Sequence, residues 1–285
     1  MKNILYLLAA LVLLSCQKDS SELKTKFSLP KKLKEVSGIT YDAQNKLLWT
    51  LEDSGNANAI YALTSEGKML QKLPVENAKN VDWEDITQDQ NGNIYIGDFG
   101  NNDNTRTDLC IYKIDKNELN KEKATSVYKI SFSYADQTEF PPKKTKMVYD
   151  VEGFFEFQNY FYLFTKNRSK NFDGTSLVYK ITNKAGHQKA KLMGSFKTCS
   201  NYNHCAITSA AISPNQKKVA LLCHDKIILF QDFIQDSFLD GNRKDIDLKH
   251  FSQKEAIVFK DNQTVLIADE KTNKIGGKVY EFSLK

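Results

Sequence analysis

The chain has 285 residues, 41% of them hydrophobic and 11% aromatic, which fits a folded globular protein rather than a disordered one. Forty basic residues against 35 acidic leave a net charge of only +5. No basic face or nucleic-acid motif stands out, so nucleic acid is set aside as a partner.

At the N-terminus Lys2 precedes an apolar run from Ile4 to Leu14, too short to span a bilayer. It ends in Leu13-Leu14-Ser15-Cys16, which resembles the lipobox of bacterial lipoproteins. That resemblance implies a signal peptide over residues 1–15, cleavage before Cys16 and lipid on Cys16. An ordinary secretory leader with a chance cysteine is the competing reading. The following Gln17-Lys18-Asp19 looks like the export signal of some Bacteroidota lipoproteins, and implies an outer-membrane location on the periplasmic or cell-surface face. Residues 16–26 read as a lipidated polar tether, and residues 27–285 as one domain.

Within that domain a hairpin recurs. Phe27-Ser28-Leu29 reads as a lone strand stopped by Pro30. Ser37-Gly38-Ile39 leads to Leu48-Trp49-Thr50 and then to Asp53-Ser54-Gly55-Asn56. Val81 to Asn101 is the fullest copy: Asp82-Trp83-Glu84-Asp85-Ile86, a hairpin turn at Asn91-Gly92, then Ile94-Tyr95-Ile96-Gly97-Asp98. Glu152-Gly153-Phe154 leads to Tyr162-Leu163-Phe164 and Lys166. Ala210-Ala211-Ile212 leads to Val219 through Leu222 and His224. Glu255-Ala256-Ile257 leads to Val265-Leu266-Ile267 and Asp269. Repeats of several short strands predict an all-β fold, a β-propeller of five four-stranded blades. A sixth blade has room only in the long insertion of the second repeat. The fifth repeat is one strand short, so the strand near Phe27 is expected to close the ring. A tyrosine recurs in the third strands, at Tyr61, Tyr112, Tyr179 and Tyr280, and reads as packing between blades. Trp49 reads as core, with Trp83 less clearly so.

Two columns of side chains are expected at one mouth of the central channel. Ser37, Glu84, Glu152, Ala210 and Glu255 enter the first strands. Asp53, Asp98, Lys166 or Asn167, His224 and Asp269 leave the second strands, with Glu52, Asp82, Asp85 and Asp150 beside them. Converging carboxylates need a cation, a shared proton or basic partners. Glu84, Asp98, Glu152, Glu255 and Asp269 are therefore candidate ligands of a calcium-type ion, which takes six to eight oxygens. Arg106, Lys166, Arg168, Asp53 and His224 are candidate ligand-binding residues. Equally, the rim carboxylates read as caps on backbone N–H groups of a neighbouring blade, with Arg106 neutralising them. No catalytic residue is identified: neither a Ser-His-Asp set nor a Gly-x-Ser-x-Gly elbow is present. Cys199 and Cys205 flank a polar loop and suit a disulfide in an oxidising compartment; a zinc site with His204 and His224 ranks below it. Cys110 and Cys223 fall in apolar strands and read as buried thiols.

Glu-Val-Ser-Gly-Ile, Leu-Trp-Thr-Leu-Glu-Asp-Ser-Gly-Asn, Asp-Trp-Glu-Asp-Ile and Tyr-Ile-Gly-Asp-Phe-Gly-Asn-Asn, with Arg106 and Glu255-Ala256-Ile257, resemble the SdiA-regulated propellers over about residues 35–282. More distantly they are similar to the esterase-like phytase propellers. The fourth repeat departs from the acidic pattern at Ala210 and His224. Two functions follow as expectations. One is a membrane-anchored lipoprotein whose propeller binds a ligand or an envelope partner beside a calcium-type ion. The other, implied only by the distant relatives, is a metal-dependent hydrolase of a phosphoester or lactone.

Overall fold

The computed structural model describes residues 22–272 and 275–285. Cys16 and the leader lie outside them. The described residues form five four-stranded antiparallel meanders. The first is β2 (Val36–Asp42), β3 (Leu47–Glu52), β4 (Ala59–Leu63) and β5 (Met69–Pro74), and the second β6 (Trp83–Gln88), β7 (Ile94–Asp98), β8 (Cys110–Ile114) and β9 (Tyr128–Tyr134). The third is β10 (Asp150–Phe157), β11 (Tyr160–Lys166), β12 (Thr175–Thr182) and β13 (Gly186–Lys197). The fourth is β14 (Ser209–Ile212), β15 (Lys218–Leu222), β16 (Lys226–Gln231) and β17 (Asn242–Asp247). The fifth is β18 (Lys254–Phe259), β19 (Thr264–Asp269) and β20 (Lys278–Ser283), completed by β1 (Lys24–Ser28) against β20. The N-terminal strand therefore closes the last sheet. It begins at Lys24, inside the stretch that read as tether.

The innermost strands neighbour one another in cyclic order β2, β6, β10, β14, β18 and back to β2. That ring is what makes the repeats a propeller. Apolar clusters fill the spaces between successive sheets. Trp49 and Trp83, for example, are both buried between the first and second. The third-strand tyrosines are buried as expected. The long insertion between β9 and β10 contains no strand among the described residues. One pairing had no signal in the sequence: β13 runs parallel to β9 and joins the second and third sheets at their outer edges. An exposed strand edge carries unpaired backbone groups, and this contact satisfies two edges together.

The channel is closed part-way along. Asp85, on β6, is 1% exposed and accepts hydrogen bonds from Phe154 N on β10 and Ser209 Oγ on β14, each at 3.2 Å. Ser209 Oγ in turn accepts from Ile257 N on β18. Gly38 completes the ring: a Cβ there would lie 2.8 Å from Asp85 Cα, so only glycine allows β2 this close. Burial pushes the Asp85 carboxyl well above the usual range. Below this layer, at the hairpin-turn end, lies a cavity of about 520 Å³ lined by residues such as Ile39, Ile86, Ala211 and Ile257. Above it lies the acidic mouth.

Candidate functional site

The mouth is built by β-bulges. The pairing of first and second strands slips between Val36 and Gly38, between Trp83 and Asp85, between Val151 and Gly153, and between Lys254 and Ala256. The extra residue in each case is Ser37, Glu84, Glu152 or Glu255. A bulge re-aims one side chain out of the regular alternation. One structural device thus sets four of the five positions of the first predicted column; Ala210, in the fourth sheet, pairs in regular register.

Glu152 and Glu255 are neutralised from within the protein. Lys166 Nζ lies 2.9 Å from Glu152 Oε2, and Arg168 reaches Glu152 Oε1 at 2.7 Å and Asp150 Oδ2 at 2.5 Å. Arg168 also donates to Tyr202 Oη. Although burial opposes it, Glu152 and Glu255 hold the Lys166 ammonium above its ordinary value. His224 Nε2 contacts Glu255 Oε1 at 3.2 Å. Despite burial, Lys166 and His224 hold Glu255 below the usual carboxylate range.

Asp98 and Asp269, expected as metal ligands, are committed elsewhere. Asp98 is 1% exposed; its Oδ1 accepts from Arg106 Nη2 and from Asp82 N, each at 3.0 Å. Asp269 is fully buried and accepts from Lys278 N and from Tyr280 Oη, each at 2.8 Å. These carboxylates tie their own sheets together, so the five-carboxylate ring does not form. Asp98 and Asp269 do cap backbone N–H groups, but of their own sheets rather than of a neighbouring blade, and Arg106 is the counter-ion of Asp98 and Asp108. Glu52 likewise caps Lys34 N. Ala210, in the fourth repeat, packs without any carboxylate to offer.

What remains is a cluster that only partly overlaps the expected one. Carboxylate oxygens of Asp53, Asp82 and Glu84 all lie within 4.8 Å of one another. Asp53 follows β3, Asp82 precedes β6, and Glu84 is the β6 bulge, so the cluster bridges the first two sheets. Glu84 is 9% exposed, and no described residue donates a hydrogen bond to it or pairs with it. Burial holds its carboxyl well above the usual range, reinforced by Glu152, Asp150, Asp82 and Asp53. Burial, with Asp53 beside it, pushes Asp82 up to about 7. Gly100 leaves the room: a Cβ there would sit 2.2 Å from Glu84 Oε1 and 2.4 Å from Asp82 Oδ2. Nearby Glu270 is raised to about 8 by burial, Glu255 and Asp53.

Sequence reasoning placed Asp82 only beside the site and missed Gly100 and Glu270. A signal was present. Asp-x-Glu occurs at Asp82–Glu84 and again at Asp150–Glu152, in the same place on successive repeats. The second copy is closed by Arg168. The first has no such cation among the described residues, because Arg106 is occupied with Asp98. Cys199 and Cys205 form a disulfide with a Cα separation of 5.5 Å, which braces the loop carrying Tyr202 and His204. His204 contacts Asp225, and His224 contacts Glu255, so neither is arranged around the cysteines as a zinc set. Cys110 and Cys223 are buried free thiols.

Ring, sheets and mouth together define an all-β propeller. The particular likeness is to the SdiA-regulated propellers: the family model described as SdiA-regulated matches residues 17–140. That span covers the first two sheets and the Asp53, Asp82 and Glu84 cluster. No match was found among curated proteins. Among solved structures, PQQ-bound aldose sugar dehydrogenase from Streptomyces coelicolor is similar with a TM-score of 0.52 and 8% identity, over 92% of this chain and 98% of that one. Virginiamycin B lyase from Staphylococcus aureus gives 0.43 and 15%, over 88% of this chain and 66% of that one. A gluconolactonase from Xanthomonas campestris gives 0.45 and 12%, over 88% and 72%. At 8% identity the likeness to the dehydrogenase speaks to the fold alone.

Proposed function

We propose that this protein is a lipoprotein, anchored to the outer membrane through acylated Cys16, whose propeller binds a ligand beside a calcium-type cation held by Asp53, Asp82 and Glu84. The observation that carries the reading is the unequal fate of two matching Asp-x-Glu pairs. Arg168 supplies the positive charge for Asp150 and Glu152. Asp82 and Glu84, with Asp53 added, have no described counter-ion. A divalent cation fits there: three carboxylates supply hard oxygens, and the rest of a six- to eight-oxygen shell stays open for water or ligand. Lys166 and Arg168 are engaged with carboxylates and are not free to grip a phosphoester, which weighs against the hydrolase alternative. The test is metal analysis of purified protein, with melting followed in calcium and in chelator. Calcium should raise the melting temperature of the wild type and leave Glu84→Gln unmoved. An equal response in both proteins would refute the site.

A further inference from the structure

We propose that the ligand completing this mouth is a neutral saccharide, bound through its hydroxyls at the cation and through a C–H face on Phe251. The proposal rests on the cation reading above and adds the ligand's class.

Charge comes first. Arg106, Lys166 and Arg168 are all paired with carboxylates. Asp53, Asp82, Glu84 and Glu270 have no described cation within pairing distance. Even with a divalent cation bound, four ionised carboxylates leave net negative charge, and an anionic ligand would meet no free base. A polyol brings donors to groups that, when ionised, can only accept. Vicinal hydroxyls also suit the open positions of a calcium shell. Nearly buried Glu84, lacking any described donor, points to a group from outside the chain.

The second observation is independent of the acids. Phe251 is 52% exposed, yet it is held firmly. His204 and His224 flank its ring at 5.1 and 5.8 Å between centroids. The loop beneath is pinned by Lys254, itself fully buried, whose Nζ contacts His224 O, His250 O, His250 Nδ1 and Ser252 Oγ at 2.7–3.0 Å. His224 also contacts Glu255, so the aromatic shelf adjoins the mouth. The fourth repeat, which brings no carboxylate, brings this shelf instead. A sugar ring offers an apolar C–H face to such a ring and hydroxyls to the acids beyond it.

The experiment passes the intact mature protein, in calcium, over an array of neutral saccharides and their phosphorylated and carboxylated counterparts. Retention on neutral saccharides is expected, lost in chelator and in Glu84→Gln. Phe251→Ala should weaken it about tenfold, equivalent to about 1.4 kcal/mol, while Phe251→Tyr retains it. No neutral saccharide bound, a preference for the anionic set, or full binding by Phe251→Ala overturns the proposal. Calcium stabilisation without saccharide binding would sink this proposal alone; no calcium effect would sink the cation reading as well.

Discussion

Arg168 holds Asp150 and Glu152 together with one guanidinium, at 2.5 and 2.7 Å. The equivalent pair one repeat earlier, Asp82 and Glu84, has no described cation of its own. The same short motif is therefore a closed ion cluster in one sheet and an open one in the next.

Calcium should stabilise the fold by linkage, by about 2.7 kcal/mol at a hundredfold excess over its dissociation constant. Asp82→Asn and Glu84→Gln should each remove the gain, whereas Glu255→Gln should keep it, because Glu255 is matched by Lys166 and His224. Differential scanning fluorimetry across a calcium titration reads all three variants.

Gly100→Ala should act through space rather than charge. Its methyl would occupy the position of the Glu84 and Asp82 carboxylate oxygens. Those are the ends of flexible side chains, so the apo melting temperature should fall only slightly while the calcium response disappears. A preserved response would show that the carboxylates need not occupy this space.

Arg168→Met should be costly without any ligand present. It leaves buried Asp150 without its cation while Glu152 keeps Lys166, and breaking a buried pair from one side costs about 3–5 kcal/mol. Since the Arg168 side chain is 23% exposed, the lower end of that range is expected in urea unfolding. A loss under about 0.5 kcal/mol would put the cluster in the class of surface pairs.

Removing residues 24–28 should lower the melting temperature sharply. The segment pairs with β20 and places Phe27 in the core between the last and first sheets. Its loss opens the ring and bares an edge strand. Unchanged melting would mean that the ring does not depend on this closure.

Cys16→Ala should release the protein from the membrane fraction or leave an unprocessed precursor. Fractionation with an antibody to the mature chain decides this. Retention of a mature form would exclude acylation as the anchor.

How far the sequence reached is clearest at the first-strand column. Short strands at regular spacing, turn chemistry such as Asn91-Gly92, and the missing strand of the last repeat were local features, so the propeller and its closure could be read directly. Glu84, Glu152 and Glu255 could be aligned because their three repeats carry a bulge at the same point. Their partners could not. The fourteen-residue spacing of Glu84 to Asp98 and Glu255 to Asp269 fixed a common end of each hairpin, but not where each carboxylate turns. Asp98 goes to Arg106 and Asp269 to Tyr280, contacts set by packing within each sheet. The Asp53, Asp82 and Glu84 cluster joins two sheets and exists only once the ring is closed. Whether a carboxylate is capped, paired or left open depends on which donor stands within about 3 Å, a distance that only tertiary packing determines.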